Sequence, residues 1–105
     1  MKNKFNILPL NISKVLTIGI FGDAAYDKPI YAGTGSGGVI GYPKISPLEA
    51  LVKRTTGKNI TLKYVNSKNT ETALKLAKDC DLAIIFAGDS SSEFGDRMNL
   101  SLSNN

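Results

Sequence analysis

Lys14-Val15-Leu16-Thr17-Ile18-Gly19-Ile20-Phe21-Gly22 is a nearly unbroken apolar run, rich in β-branched residues and closed by a turn signal at Gly22-Asp23. Such a run reads as a strand buried on both faces. Leu82-Ala83-Ile84-Ile85-Phe86-Ala87-Gly88 has the same character and ends in the same way, at Gly88-Asp89. Between them, Ile60-Thr61-Leu62-Lys63-Tyr64-Val65 alternates apolar and polar residues, as a half-covered edge strand does.

Two helices fit the gaps. Ser46-Pro47-Leu48-Glu49 joins an N-cap serine, a proline at the first helical position and a capping-box glutamate, and Gly57 supplies the stop after Lys53 and Arg54. The second helix starts at Asn69 or Thr70 and carries Glu71 in its first turn. It packs Ala73, Leu74 and Ala77 and ends with Lys75 and Lys78 near its negative pole.

The order β-α-β-α-β predicts a parallel sheet wound by right-handed crossovers. The apolar first and third strands want neighbours on both sides and the alternating second suits an edge, so the strand order is 2-1-3. Connections reverse direction between strands 1 and 3, and a ligand crevice is expected beyond their carboxyl ends, where the segments from Asp23 and Asp89 would face one another. The connection from Asp23 to Ile45 carries Gly33-Thr34-Gly35-Ser36-Gly37-Gly38 between Tyr26, Tyr31 and Tyr42, and far exceeds an ordinary βα loop. A loop of that length at the ligand end of a sheet is usually functional.

Composition adds mainly exclusions. The chain has 105 residues, 42% hydrophobic and 21% charged, enough for one small domain. Its net charge of +4 comes from Lys and Arg scattered from Lys2 to Arg97, which reads as a solvated surface rather than a nucleic-acid footprint. Histidine is absent, which removes Ser-His-Asp and Cys-His nucleophile systems and every His-based metal site. The lone Cys80 admits no internal disulfide. No apolar stretch reaches the roughly 20 residues that span a bilayer, and residues 1–10 lack the apolar region of a signal peptide. Sequons at Asn11, Asn59 and Asn99 would suit a secretory protein, although chance accounts for most of them in so Asn-, Ser- and Thr-rich a chain.

Several groups of residues could carry chemistry. The glycine loop invites phosphate binding, but its glycines precede the helix at Ser46 by too far for a dinucleotide fingerprint, and no Gly-Lys-Ser/Thr is present. A structural turn and a pocket-lining loop remain open for it. Asp89-Ser90-Ser91-Ser92-Glu93 has the look of an esterase motif with Ser90 as nucleophile, but there is no histidine to activate that hydroxyl. Glu93 falls at the expected crevice beside Phe94, an apolar neighbour able to raise a carboxyl pKa towards a general acid's range. Its bland alternative is a solvated loop glutamate pairing with Arg97. Asp96-Arg97 is either a local ion pair or an arrangement that orients sugar hydroxyls or the loop.

Several landmarks resemble, in order, the second domain of family 3 glycoside hydrolases. Lys2-Asn3 and Asn6-Ile7-Leu8-Pro9-Leu10 resemble the linker entering that domain. Ile18-Gly19-Ile20-Phe21-Gly22-Asp23-Ala24-Ala25 is similar to its first strand and turn, Gly35-Ser36-Gly37 to its glycine loop, and Ser46-Pro47-Leu48-Glu49-Ala50-Leu51 to its helix start. Asp81 to Gly88, then Ser92-Glu93 and Asp96-Arg97-x-x-Leu100-x-Leu102, complete the series.

The resemblance implies an α/β fold, a three-layer sandwich around a short parallel sheet and truncated here, with residues 1–13 as interdomain linker and 14–105 as a partial sandwich domain. It further implies a retaining exo-glycosidase of β-glucosidase or β-xylosidase type. In that arrangement an aspartate nucleophile sits on a separate barrel domain and Glu93 matches the acid/base. Gly35, Ser36, Asp96 and Arg97 would then contact a β-glycoside substrate, with no metal and no cofactor. Phe94 stands where several members have glycine, a variant associated with xylosidase-like sequences. An extracellular, periplasmic or lysosomal location is implied by the same resemblance. With the barrel absent, the chain is expected to be a fragment without catalysis of its own, marginally stable and prone to self-association through unpaired strand edges. The competing readings are a non-catalytic α/β ligand-binding module and an inactive truncated product.

Overall fold

The structure is a computed structural model that describes residues 2–14, 16–31, 44–66, 68–89, 91 and 95–102. Strands β1 (Leu16–Phe21), β2 (Ile60–Val65) and β3 (Leu82–Ile85) form a parallel sheet in the order β2-β1-β3. Register runs from Leu16 opposite Ile60 to Phe21 opposite Val65 on one side of β1, and from Ile18 opposite Leu82 to Phe21 opposite Ile85 on the other. Asp81 pins the start of β3: its carboxylate accepts from Thr17 N at 2.7 Å, and its own N–H donates to Thr17 O at 2.8 Å.

Helices α1 (Pro47–Thr55) and α2 (Thr70–Lys78) connect the strands. Because the first crossover moves from β1 to β2 and the second returns past β1 to β3, right-handedness puts the helices on opposite faces, giving three layers. On the α1 face, Leu48 and Leu51 pack against buried Ile18, Ile20 and Ala25, with Leu62, Tyr64, Leu82 and Ile84 around them. On the other face α2 lies against β1 and β2. There Gly19 has no room for a side chain, since a Cβ would come within 2.6 Å of the Phe21 ring and 3.0 Å of Cys80 Sγ.

Both helix starts are as the sequence reads them. Ser46, 1% exposed, accepts from Glu49 N at 3.2 Å while the Glu49 carboxylate accepts from Ser46 N at 2.8 Å and from its hydroxyl at 2.6 Å. These bonds, the one from the Ser46 hydroxyl foremost, hold the Glu49 carboxyl below its ordinary pKa. Asn69 caps α2 by accepting from Thr72 N at 2.9 Å. Gly57, the expected stop of α1, has φ +75.

Two expectations fail. In α2 the half-buried residues are Ala73 and Leu76, while Leu74 is 62% exposed and Ala77 is exposed. A nine-residue helix offers adjacent stripes of similar apolarity, and its seat over β1 chose one of them. The third strand was expected to be covered on both sides. Among the described residues β3 pairs with β1 alone, and Ala83 and Ile85 are exposed, Ile85 by 73%. Its apolar run signals a strand, but α2 lies chiefly against β1 and β2, and Ala83 and Ile85 of β3 stay open to solvent.

Ahead of the sheet, residues 2–14 are largely exposed and include a cis Leu8-Pro9 bond. The Asn3 side chain ties this segment to itself, donating to Leu8 O at 2.7 Å and accepting from Leu8 N at 3.0 Å.

Candidate active-site crevice

β1 and β3 end side by side, as the strand order requires. At the end of β1 the chain turns through Gly22 at φ +101, ψ 147, where a Cβ would lie 2.1 Å from the Phe86 carbonyl oxygen. Only glycine lets the two strand ends approach so closely in that conformation. Phe86 N then donates to Phe21 O at 2.8 Å. Beyond this junction the chain winds back, with Tyr26 N and Lys28 N both donating to Asp23 O at 3.1 and 2.8 Å. Ile30 reaches the other segment, its Cδ1 lying 3.2 Å from where a Gly88 Cβ would stand. The segment after Asp23 therefore comes back to Gly88, the residue before Asp89, beyond the carboxyl end of the sheet.

On the β3 side, Asp89 Oδ2 and an Arg97 terminal nitrogen form an ion pair at 2.8 Å, with the side chains 13% and 33% exposed. Arg97 also donates to the Ser101 carbonyl, and Ser101 N donates to Asn99 Oδ1 at 2.9 Å. The partner of Arg97 in this ion pair is thus Asp89, eight positions back, rather than its chain neighbour Asp96, which is exposed. Of the residues singled out in the sequence, Asp96 and Arg97 lie among the described residues, whereas Glu93, Gly35 and Ser36, like Ser90, lie outside them.

On the β2 side a second polar group forms that the sequence reading missed. Asn66 Nδ2 donates to Asp27 Oδ2 at 3.1 Å, and the Tyr26 ring meets that of Tyr64 edge to face at 6.1 Å. Burial raises the Tyr64 hydroxyl above its ordinary pKa, and the nearby Asp27 and Asp23 carboxylates add to the shift. The hydroxyl is closed to solvent and makes no hydrogen bond of good geometry, so Asp27 acts on it by proximity. Asn66 directly follows β2 and Asp27 lies in the segment that follows β1, which was the available signal; their pairing across 39 positions was not readable. Among the described residues no group of His, Cys, Asp and Glu is arranged to hold a metal ion, and no helix is long and apolar enough to cross a membrane.

The profile of the glycosyl hydrolase family 3 C-terminal domain matches residues 1–105, the whole chain. The chain belongs to that family. A parallel 2-1-3 sheet between two helix layers is consistent with the assignment. Among curated proteins, a beta-xylosidase of Formosa agariphila is 29% identical over 117 aligned positions, covering 97% of this chain. The chain spans about 16% of the length of that relative. No solved structure matches it.

Proposed function

We propose that this family 3 domain contributes the general acid/base to a retaining β-glycosidase whose nucleophile stands on another domain, and that Glu93 is that residue. The reading is carried by one combination: membership of a glycosyl hydrolase family along the whole chain, with Asp89, the ion-pair partner of Arg97, just beyond the carboxyl end of β3 at the switch point of the sheet. Retention requires two carboxyls about 5 to 5.5 Å apart, one attacking the anomeric carbon while the other protonates the leaving oxygen and then takes a proton from water. Two carboxylates on one short loop are poorly placed to flank opposite faces of a sugar ring. The nucleophile is therefore assigned to another domain, a barrel by the family resemblance, with residues 1–13 as the linker from it.

The Formosa relative is named a beta-xylosidase, so β-xylosides are the first substrates to try, with β-glucosides beside them. The test is Glu93→Gln in a full-length glycosidase carrying residues 1–105. Turnover of an alkyl glycoside, whose leaving group needs protonation, is expected to fall by about 10² to 10⁴. A p-nitrophenyl glycoside, whose leaving group needs little help, should lose much less in the glycosylation step. Unchanged turnover of the alkyl substrate would remove Glu93 from the role.

A further inference from the structure

Arg97 is partly exposed, yet its guanidinium is already occupied. Its guanidinium is engaged twice within its own segment, by the Asp89 carboxylate at 2.8 Å and by the Ser101 carbonyl. Asp89 is the better sheltered partner, 13% exposed, and it sits close to the junction of β1 and β3. It directly follows Gly88, which packs on Ile30, and stands three residues beyond Phe86, whose N–H is bonded to β1 at 2.8 Å. The pair therefore joins a residue close to the junction of β1 and β3 to one eight positions further along the chain. Asn99 accepts from Ser101 N at 2.9 Å, on the residue whose carbonyl receives the second Arg97 bond.

We propose that Asp89 and Arg97 form a clamp that closes the ends of the acid/base loop, so that both are positioning residues and Arg97 serves the reaction through the loop rather than by binding sugar. The proposal rests on the reading of Glu93, which stands midway between the two in sequence, as the acid/base. A carboxyl group carried on an unclosed loop samples many positions, and closing the loop removes that freedom at a cost that grows only slowly with its length. Proton transfer to a leaving oxygen tolerates little error, since a misplacement of about 1 Å can cost about 10²-fold in rate. An arginine suits the task because its guanidinium is always charged and rich in N–H donors, so that one terminal nitrogen serves the Asp89 carboxylate and the Ser101 carbonyl together.

The test uses the full-length glycosidase carrying residues 1–105, with Asp89→Asn, Asp89→Glu and Glu93→Gln compared on alkyl and p-nitrophenyl glycosides. Asp89→Asn is expected to lower kcat on the alkyl substrate about 10- to 100-fold. KM should stay within about twofold, the p-nitrophenyl substrate should suffer less, and Asp89→Glu, which keeps the carboxylate, should recover most of the loss. Because Arg97 is partly exposed, raising salt from about 0.05 to about 1 M should also widen the gap between the two substrates in the unaltered enzyme, a readout that needs no variant to fold. Three outcomes overturn the clamp: an Asp89→Asn enzyme that keeps its alkyl-substrate kcat, equal impairment of the Asn and Glu variants, or a rise in KM with kcat unchanged. A Glu93→Gln enzyme of normal activity overturns the acid/base reading and the clamp with it. Impairment by Glu93→Gln without impairment by Asp89→Asn overturns the clamp alone.

Discussion

β1 and β3 are built from the same kind of residue, close on the same Gly-Asp pair and lie side by side, yet they live in different surroundings. From Ile18 to Phe21 every residue of β1 is buried, with a strand on either flank and helices against both faces. β3 has one flank paired and one face covered among the described residues, so half-buried Leu82 and Ile84 alternate with exposed Ala83 and Ile85. An apolar run therefore marks a chain segment able to be buried, while the amount of burial depends on how many neighbours arrive. Stability should be concentrated in β1 and in the junction where β1 meets β3, and the outer side of β3 should contribute little.

The sharpest test of that contrast is Gly22→Ala. It places a Cβ 2.1 Å from the Phe86 carbonyl in a conformation that side chains avoid, and should cost more than about 3 kcal/mol, read as loss of the urea unfolding transition. Next, Ile20→Ala, at a fully buried position, should cost about 2–5 kcal/mol, whereas Ile85→Ala should stay within about 0.5 kcal/mol. If the two alanine variants unfold at similar urea concentrations, the outer face of β3 is covered in the folded protein and the contrast collapses.

Smaller effects probe the helix that covers β1. Ser46→Ala should cost about 1 kcal/mol by removing the cap of α1, as measured by thermal melting. Glu49 adds a pH dependence whose sign follows from its lowered pKa. Its stabilising effect is complete above the ordinary value of 4.5 and is lost as pH falls through the depressed folded value. Helicity followed by circular dichroism in acid should decline over that range, and Glu49→Gln should flatten the response. Smallest in stability, Ile85→Lys should leave unfolding nearly unchanged while reducing concentration-dependent association of the 105-residue chain in sedimentation, since a charge on a strand with one flank unpaired among the described residues opposes strand pairing.

How much of the molecule was legible can be argued from these same residues. The boundaries of β2 and the caps Ser46 and Asn69 were readable because they depend on neighbours in sequence: alternation over six residues, a serine three before a glutamate, an asparagine before an apolar stripe. The 2-1-3 order followed from comparing three short patterns under one rule of handedness. In the crevice, the sequence could point to the segment after β3 as a place for chemistry, and Arg97 within it, but not to Asp89 as the partner of Arg97 nor to Asp27 as the partner of Asn66.

What the sequence by itself determined is local: where the strands and helices form, how the helices begin, which nucleophile systems are impossible without histidine, and the family to which the chain belongs. What only the tertiary structure decided is which apolar surface found cover and which charges met. Ile20 and Ile85 have the same side chain, and the pair of Arg97 was chosen from several acidic residues nearby. Burial and ion pairing act through space over a few ångströms, and the distance between two residues in space is set by strand order and crossover, not by their separation along the chain.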